Sequence, residues 1–201
     1  VKSNRICVCS DLHVPYHDSY GIMLMVELCR VNGITDLAIV GDFLDMEVFS
    51  NWKKEQEPNT WATEKFSGKL LVEHFEKHFK NIYACAGNHE ARLIKLRDGQ
   101  LGLEDIYNML EVNWQKWRVT EADHIYVETP LGIWRLCHPL NYSQIKLSIA
   151  QKLAAKYHAH IVNTHGHFTA GPTLDQSGTY FALDIGGLYI PGAMPYEKRT
   201  S

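Results

Sequence analysis

The chain has 201 residues, of which 45% are hydrophobic, 11% are aromatic and 21% are charged. This composition predicts one globular domain over residues 1–201 and excludes a disordered, collagen-like or coiled-coil chain. Twenty Lys and Arg residues against 23 Asp and Glu residues give a formal net charge of −3. The chain therefore lacks the positive field that drives unspecific binding to nucleic acid or anionic membranes. Charge does not support a nucleic-acid partner, although it does not exclude one.

The cysteines predict buried thiols in a reducing compartment, because they are odd in number, include no C-x-x-C pair and lie mostly in apolar runs. They are Cys7, Cys9, Cys29, Cys85 and Cys137. The first apolar run is too short before a charged residue for a signal peptide, and no apolar stretch is long enough to span a bilayer. We therefore expect a cytoplasmic enzyme or binding domain without a membrane partner.

Short apolar runs alternate with helical patterns along the chain, which is typical of an α/β protein. In the first half we predict strands at residues 6–9, 37–40 and 82–86. The helix after the first strand is expected to end at Asn32-Gly33 and to bury Ile22, Met25, Val26 and Cys29. A polar connection at 49–59 precedes a second helix. Its predicted inward face consists of Leu71, His74, Phe75, His78 and Phe79.

The second half begins with a helical, leucine-rich stretch and then returns to strands. We predict strands at residues 126–127, 133–137, 161–162 and 180–185. The first two flank Pro130-Leu131-Gly132 and are expected to form a hairpin. A helix is predicted at about residues 143–156.

Polar clusters follow five of the predicted strands. In chain order they are Ser10-Asp11-Leu12-His13, Gly41-Asp42, Gly87-Asn88-His89, His138 and Thr164-His165-Gly166-His167. Open α/β sheets place their ligands at the edge where strands end, so we expect these clusters to form one site. In the D-x-H and H-x-H pairs, the two side chains would project to the same side of an extended segment.

The clusters supply seven candidate metal ligands, which are Asp11, His13, Asp42, Asn88, His138, His165 and His167. Carboxylate, amide and imidazole donors without thiolate suit manganese, iron or zinc better than a structural zinc or a calcium site. Seven ligands are too many for one ion with an open position. We therefore expect two divalent ions about 3.5 to 4 Å apart that share Asp42. Manganese is the expected metal, with iron, zinc or nickel as alternatives.

The order of the motifs resembles that of the calcineurin-like metallophosphoesterase superfamily, which carries D-x-H, G-D-x-x-D, G-N-H-E, an isolated H and H-x-H. In this sequence they read Asp11-Leu12-His13, Gly41-Asp42-Phe43-Leu44-Asp45, Gly87-Asn88-His89-Glu90, His138 and His165-Gly166-His167. The resemblance implies an α/β fold of two mixed β-sheets packed face to face as a sandwich with helices outside. It also implies two metal groups, Asp11, His13, Asp42 and His167 in one and Asp42, Asn88, His138 and His165 in the other.

Three departures from the superfamily pattern indicate which branch of the superfamily the chain resembles. Met46-Glu47 follow Asp45 where phosphoprotein phosphatases have Arg and Gly, and Pro139-Leu140 follow His138 where they have Gly-Gly. Thr164 takes the place of the usual glycine before H-x-H. None of these changes removes a ligand. They argue against a phosphoprotein phosphatase and favour the smaller bacterial or phage-type phosphoesterases.

His89 is the candidate general acid. It follows Asn88 directly, so we expect its side chain to point away from the metals, towards the mouth of the site. Imidazole is suited to protonate an alkoxide leaving group near neutral pH. By the family pattern Asp45 would hydrogen-bond to His89 and orient it, whereas without the motif Asp45 is interpreted as a cap of the following turn.

Asn88 and Arg92 are the predicted substrate-binding residues. Arg92 and Lys95 follow the G-N-H-E motif closely enough to neutralise a phosphate, although surface charge on a helix is an equal alternative. The segment from Phe49 to Lys54, with Trp61 beyond it, could stack a base, but a solvated connector is at least as good an interpretation.

His74 and His78 lie four residues apart but do not form an H-E-x-x-H motif, since Glu76 falls two places after the first histidine. We interpret them as ordinary residues on a helix face. Gly-rich phosphate loops, dinucleotide fingerprints and serine-hydrolase elbows are absent from the sequence.

We predict a binuclear metal-dependent phosphoester hydrolase acting on a phosphodiester or nucleotide-type substrate. In that mechanism a hydroxide bridging the metals attacks phosphorus and His89 protonates the leaving oxygen. The alternative is a non-catalytic metal-binding interaction module on the same fold, which would not need His89 and Asp45. The sequence leaves open whether the substrate is a monoester or a diester.

Overall fold

A computed structural model describes residues 1–3, 5–50, 59–96, 98 and 100–194. Its first half contains β1 (Cys7–Cys9), α1 (Ser19–Val31), β2 (Asp36–Val40), a 3₁₀ turn (Glu47–Phe49), α2 (Trp61–His78), β3 (Asn81–Cys85), α3 (Glu90–Leu96), α4 (Leu103–Met109) and β4 (Trp117–Thr120). Its second half contains β5 (His124–Thr129), β6 (Gly132–Cys137), α5 (Ser148–Tyr157), β7 (His160–Asn163), β8 (Thr169–Leu174) and β9 (Phe181–Ile185). None of the helices in these ranges is long and apolar enough to cross a bilayer.

The strands form two sheets. The first has the order β1-β2-β3-β4, and all of its neighbouring pairs are parallel. The second has the order β5-β6-β7-β9-β8, with parallel pairs at its centre and antiparallel pairs at both edges. The predicted α/β fold of two sheets flanked by helices is confirmed, but only the second sheet is mixed. The first is parallel because each of its strands is connected to the next through helices.

Strand β2 shows how the layers pack. Its side chains alternate, so that Leu37 and Ile39 contact the helices while Ala38 and Val40 face the second sheet. Helix α5 covers the outer face of the second sheet with Ala150 and Ala154. The result is a helix–sheet–sheet–helix arrangement with an apolar core on each side of both sheets.

The helix faces follow the predicted pattern with one exception. Helix α1 begins after Asp18, whose carboxylate accepts hydrogen bonds from the amides of Tyr20 and Gly21, and it buries Ile22, Val26 and Cys29 as expected. On α2, Leu71 and Phe75 are buried, as is Phe79 just beyond the helix end. The prediction is wrong for His78, which is exposed because Phe79 fills the inward position at the end of α2.

Two strands were not predicted and one helix is shorter than predicted. Strand β4 lies at the edge of the first sheet, and β8, at the edge of the second, contains Gly171-Pro172 and few buried side chains. Helix α5 begins at Ser148, because the preceding residues form turns. There, the amide of Leu147 donates a 2.6 Å hydrogen bond to Asp184.

Candidate metal centre

All seven predicted ligands lie at the carboxyl edges of the two sheets. The loops after β1, β2 and β3 carry Asp11, His13, Asp42 and Asn88, and the loops after β6 and β7 carry His138, His165 and His167. The two edges meet at Val40. Its carbonyl oxygen accepts a 3.1 Å hydrogen bond from Thr164 Oγ1 and lies 3.1 Å from His138 Nδ1. The two sheets therefore contribute to one site.

A first group of ligand atoms consists of Asp11, His13 and His167, whose nearest donor atoms lie within 4.8 Å of one another. His167 Nε2 lies 3.1 Å from Asp11 Oδ1 and 3.3 Å from His13 Nε2. Asp11 and His13 are fully buried, whereas about a quarter of the His167 side chain is exposed. This group can therefore be reached from solvent on the His167 side.

A second group surrounds His138 Nε2. This atom lies 3.0 Å from Asn88 Oδ1, 3.1 Å from His165 Nδ1 and 3.2 Å from Asp42 Oδ2. Ligand atoms of Asp42, His138 and His165 also lie within 4.8 Å of one another, close enough to share a cation. All four donors named by the family pattern for this position are thus brought together.

Asp42 lies between the two groups. Its Oδ2 atom is 3.2 Å from His138 Nε2 and 3.9 Å from His13 Nε2, so the same oxygen faces both groups. Its Oδ1 atom accepts a 2.9 Å hydrogen bond from the amide of His89, which fixes the orientation of the carboxylate. This is the position that a carboxylate shared between two cations would need.

The donor set fits divalent cations. Asp11 Oδ1 is buried and faces two imidazole nitrogens, His167 Nε2 at 3.1 Å and His13 Nε2 at 3.8 Å. Ring nitrogens of His13 and His167 face each other, as do those of His138 and His165, an arrangement that a cation between them would satisfy. The donors are oxygen and nitrogen atoms, which suit manganese, iron, zinc or nickel.

Electrostatics keeps the carboxylates ionised. Burial raises the pKa of Asp42, but the nearby imidazoles of His138 and His89 outweigh burial and hold this pKa well below its ordinary value. The pKa of Asp11 is lowered in the same way, mainly by His138 against the effect of burial. Conversely, burial lowers the pKa of His138, but Asp42 and Asp11 outweigh it and raise this pKa to about 10. The two carboxylates therefore stabilise a positive charge in the site, which a bound cation would supply in place of the protonated ring.

The backbone around the ligands is strained. Five of the predicted ligands have left-handed φ angles, which are 49° at Asp11, 45° at His13, 49° at Asp42, 69° at His165 and 55° at His167. The expectation that the D-x-H and H-x-H pairs lie on extended segments is therefore wrong. Asp11 and His13 still reach one group of ligand atoms, whereas His165 and His167 reach different groups. Non-glycine residues adopt this conformation at a cost, and they cluster at functional sites.

Hydrogen bonds on the far side of the rings orient two of the histidines. His138 Nδ1 contacts the Val40 carbonyl and, at 2.9 Å, Thr164 Oγ1, so Nε2 faces the metal group. His13 Nδ1 lies 3.2 Å from Asp45 Oδ1, so its Nε2 faces the site as well. A partner on the second ring nitrogen fixes the tautomer that binds a metal. Neither contact was predicted from the sequence, although Thr164, which replaces the usual glycine before H-x-H, was a signal for the contact with His138.

The side chain of His89 is buried, and only 5% of the residue is exposed. It does not point to the mouth as predicted, because its amide donates to Asp42 Oδ1 and draws the residue inwards. Its Nδ1 contacts the backbone carbonyl of Asp45 and lies 3.5 Å from Asp45 Oδ1, while its Nε2 lies 3.8 Å from Asp42 Oδ2. His89, His13 and Asp42 form a third group whose ligand atoms lie within 4.8 Å of one another.

Arg92 holds the other side of the His89 ring. Its Nη2 atom lies 2.8 Å from His89 Nε2, and its Nη1 atom donates a 3.0 Å hydrogen bond to the Asp45 carbonyl. Burial lowers the pKa of His89 to about 3, and the positive charge of Arg92 acts in the same direction. A neutral ring that donates from Nδ1 and accepts at Nε2 satisfies these contacts. Lys95, by contrast, is exposed on α3.

Glu90 is a structural member of the site that sequence reasoning left without a role. Its buried carboxylate accepts hydrogen bonds from the amides of Asp42, Leu44 and Gly87 at 3.0 to 3.1 Å. Burial and the charge of Asp42 raise its pKa to about 7. It thereby ties the loop after β2 to the loop after β3. Gly87 is needed at this junction because a side chain there would overlap Asp42.

Aromatic rings flank the exposed side of the centre. The Tyr189 ring centroid lies 4.7 Å from that of His167, and Tyr142 lies 6.1 Å from His165. Tyr142 is 57% exposed, so its ring is available to a bound molecule. Neither tyrosine was singled out from the sequence, because neither belongs to a motif.

Other sequence candidates lie apart from these groups. His74 and His78 contact each other on α2, consistent with ordinary residues on a helix face. In the proposed stacking segment, Phe49 packs against Trp61 with ring centroids 5.5 Å apart. Residues 51–54 of that segment lie outside the described residues.

Comparison with known proteins places this geometry in a family. The family model described as calcineurin-like phosphoesterase matches residues 4–185. Among solved structures, the phosphoesterase YfcE from E. coli has 18% identity and a TM-score of 0.49, with 94% of this chain and 82% of that chain covered. The nuclease MPE from Pseudomonas putida has 13% identity and a TM-score of 0.42, with coverage of 95% and 77%. No curated protein matches the chain significantly. Because the family model spans nearly the whole sequence, the chain belongs to the calcineurin-like phosphoesterase family and is a metal-dependent phosphoesterase.

Proposed function

We propose that the protein is a binuclear phosphoesterase that hydrolyses a phosphodiester or nucleotide-type substrate. The observation that carries this proposal is the position of Asp42, whose Oδ2 atom faces both His138 and His13. One group would be held by Asp11, His13, Asp42 and His167, and the other by Asp42, Asn88, His138 and His165. We expect manganese, with iron, zinc or nickel as alternatives.

When bound, two such ions polarise the phosphoryl group and supply an activated water. The chain's own residues hold and orient the substrate around them. Asn88 and Arg92 are the proposed phosphate contacts, because the Asn88 amide lies in the second group and the Arg92 guanidinium reaches the ring of His89. An arginine fork matches two phosphate oxygens, so a bound phosphate would compete with His89 for Arg92.

This competition gives His89 its proposed role as general acid. In the structure the Arg92 guanidinium hydrogen-bonds to His89 Nε2. Once Arg92 turns to the phosphate, its guanidinium leaves His89 Nε2, and the ring, now beside an anion that favours its protonated form, takes up a proton from solvent at this atom. The ring remains fixed through Nδ1 by the Asp45 carbonyl, so a proton on Nε2 can pass to the leaving oxygen. A non-catalytic module would have no use for this arrangement.

The aromatic rings favour a substrate with a planar group next to its phosphate. Tyr142 is exposed beside His165, which binds in the second metal group. A base or aryl group stacked there would be worth about 1 to 3 kcal/mol. The net charge of −3 supports a small substrate better than a long nucleic acid.

A matched activity screen tests the proposal. The metal-free protein, reloaded with manganese, iron, zinc or nickel, should bind two ions per chain and hydrolyse aryl and nucleoside phosphoesters. Tyr142→Ala should raise KM for nucleoside esters and leave that for an alkyl ester unchanged, with exposed Leu131→Ala as the control. Full activity after exhaustive chelation, or one ion per chain at saturation, would contradict the binuclear proposal.

A further inference from the structure

The outward face of α1 is apolar. Five large side chains on this helix are 45 to 65% exposed, and they are Tyr20, Met23, Leu24, Leu28 and Val31. Four of them, Tyr20, Leu24, Leu28 and Val31, recur at helical spacing and form one continuous stripe about 16 Å long, which we call the α1 ridge. The opposite face of α1 is also apolar and packs into the core. A helix with large apolar side chains on two opposite faces is normally buried on both of them in the complete assembly.

Helix α2 extends this surface. Phe66 and Leu70 are 63% and 52% exposed on α2. Leu70 and Met23 line an open cavity of about 390 Å³ between the two helices, which we call the α1/α2 groove. The floor of this groove contains Ile22 and Leu71. The groove is also lined by His17, Ser19, Ser67 and His74. The apolar ridge therefore lies beside a groove with an apolar floor and polar groups in its lining.

The area of this surface is that of a stable interface. Aromatic side chains present about 150 to 250 Å² when fully accessible and Leu, Met and Val present less, so these seven side chains, which are 45 to 65% exposed, together present roughly 600 to 800 Å². The largest apolar patch on a typical monomer is about 300 to 600 Å². A standard interface buries about 800 Å² on each partner. The surface thus lies at or above the upper end of the range for a monomer and is close to the area of one interface.

The charge of the face suits a second copy of the same chain. The charged residues of α1 are Glu27 and Arg30, and they bind each other through two hydrogen bonds of 2.7 Å. The face of α1 therefore carries no net charge. A twofold axis places identical surfaces opposite each other, so a net charge would repel whereas a neutral surface does not.

We propose that the protein forms a homodimer in which the α1 ridge of each copy packs into the α1/α2 groove of the other. Ridge and groove adjoin on one surface, so a twofold axis pairs each ridge with the partner's groove and closes the assembly at two copies. The dimer buries both helices from solvent. It is independent of the metal centre, whose residues lie on the loops after the strands.

Sedimentation of the metal-loaded full chain tests the dimer. The wild type should have twice the 23.0 kDa mass of one chain at micromolar concentrations. Leu24→Glu and Leu28→Glu should each raise the dimer dissociation constant about 100-fold, because each places an unpaired carboxylate in an apolar interface. Leu131→Glu is the matched control, since Leu131 is 75% exposed in the turn between β5 and β6. It should remain dimeric.

A cross-linking arm keeps the test valid if the glutamate variants fail to fold. Leu24 lies near the middle of the α1 ridge, so the two copies of Leu24→Cys should be joined by a short bismaleimide. Leu131→Cys should not be joined, and four of the five native cysteines are buried. A monomeric wild type overturns the proposal, and it would then favour a different protein as the partner of this face. A dimer that survives both glutamate substitutions, or equal cross-linking at Leu131, overturns it as well.

Discussion

The two oxygens of Asp42 have different tasks. Oδ1 accepts the amide of His89, and Oδ2 faces His138 and His13. An amide in place of the carboxylate would keep the size of the side chain but remove the charge. It could present its oxygen to the His89 amide or to the cations, but not satisfy both with the same strength. A substitution of Asp42 is therefore the most direct test of the binuclear proposal.

We expect Asp42→Asn to lose both metal ions and His13→Ala to lose mainly one. Asp42 is the ligand proposed for both ions, and a neutral amide bridges two cations poorly. In the proposed assignment, His13 is a ligand of the first group and not of the second. Metal content measured by mass spectrometry, with circular dichroism to verify folding, checks this. Retention of both ions by Asp42→Asn would show that the bridge is misassigned.

The kinetics of His89→Ala should depend on the leaving group. Without a proton donor, kcat should fall by about 10² to 10⁴ for a nucleoside or alkyl ester, and much less for a p-nitrophenyl ester, whose phenolate leaves without help. Asp45→Asn should give a smaller kcat loss together with weaker metal binding, because Asp45 Oδ1 lies 3.2 Å from His13 Nδ1 as well as 3.5 Å from His89 Nδ1. An equal loss for good and poor leaving groups would reassign His89 as a phosphate contact.

At the scale of elements, the site depends on contacts between loops that belong to different strands. The Val40 carbonyl at the end of β2 accepts a hydrogen bond from Thr164, which follows β7 of the second sheet. The Glu90 carboxylate at the start of α3 accepts hydrogen bonds from three backbone amides in the loops after β2 and β3. The left-handed backbone at Asp42 needs such support, because an isolated loop would relax from it. Glu90 therefore fixes the backbone of the loops that carry the predicted ligands Asp42 and Asn88.

Glu90→Gln should lower the free energy of unfolding by roughly 2 to 4 kcal/mol, because an NH₂ group would then face backbone N–H donors that lose their acceptor. The affinity of both metal groups should fall at the same time, since the amide of Asp42, the ligand proposed for both ions, is one of those donors. Urea unfolding and metal titration measure the two effects. The control is Glu104→Gln on the exposed side of α4, which should change neither. Unchanged metal affinity in a destabilised Glu90→Gln variant would limit Glu90 to stability alone.

At the scale of the whole molecule, the sequence predicts the features that depend on side-chain chemistry and periodicity. Apolar runs locate the central strands, and the polar residues after them locate the centre, because both follow from burial. The edge strands β4 and β8 are not predicted, since edge positions need little apolar alternation and a Gly-Pro pair such as Gly171-Pro172 is unfavourable in a strand interior. The left-handed ligands were missed because Asp and His are not required to adopt that conformation, and only tertiary contacts impose it.

Buried acids are also difficult to predict from the sequence, because their partners lie far away along the chain. Glu64 on α2 is 1% exposed and accepts a 2.7 Å hydrogen bond from the amide of Met46. Burial raises its pKa to about 8, against this hydrogen bond, with Asp45 and Glu90 adding to the effect and Arg92 opposing it. The helix pattern predicts that Glu64 faces inwards only once the position of α2 on the sheet is known.

Glu64 should make the stability of the whole fold depend on pH. Its pKa is higher in the folded than in the unfolded chain, so the folded state holds a proton that the unfolded state releases. Stability from this group is therefore fully present below about pH 4.5 and is lost as pH rises towards about 8. Glu64→Gln keeps the acceptor for Met46 but cannot ionise. Between pH 5 and 9, the free energy of unfolding of Glu64→Gln should rise by several kcal/mol relative to that of the wild type. The reason is that each tenfold difference in proton affinity between the folded and unfolded states corresponds to about 1.4 kcal/mol.

Urea unfolding of both proteins at several pH values gives this difference directly, because pH effects of the metal centre are common to both and cancel. Glu73→Gln, on the exposed side of the same helix, is the matched control and should run parallel to the wild type. If Glu64→Gln and the wild type lost stability equally from pH 5 to 9, Glu64 would be ionised in the folded protein. Its carboxylate would then be stabilised by contacts stronger than its burial, and the pH dependence of the fold would have to originate elsewhere.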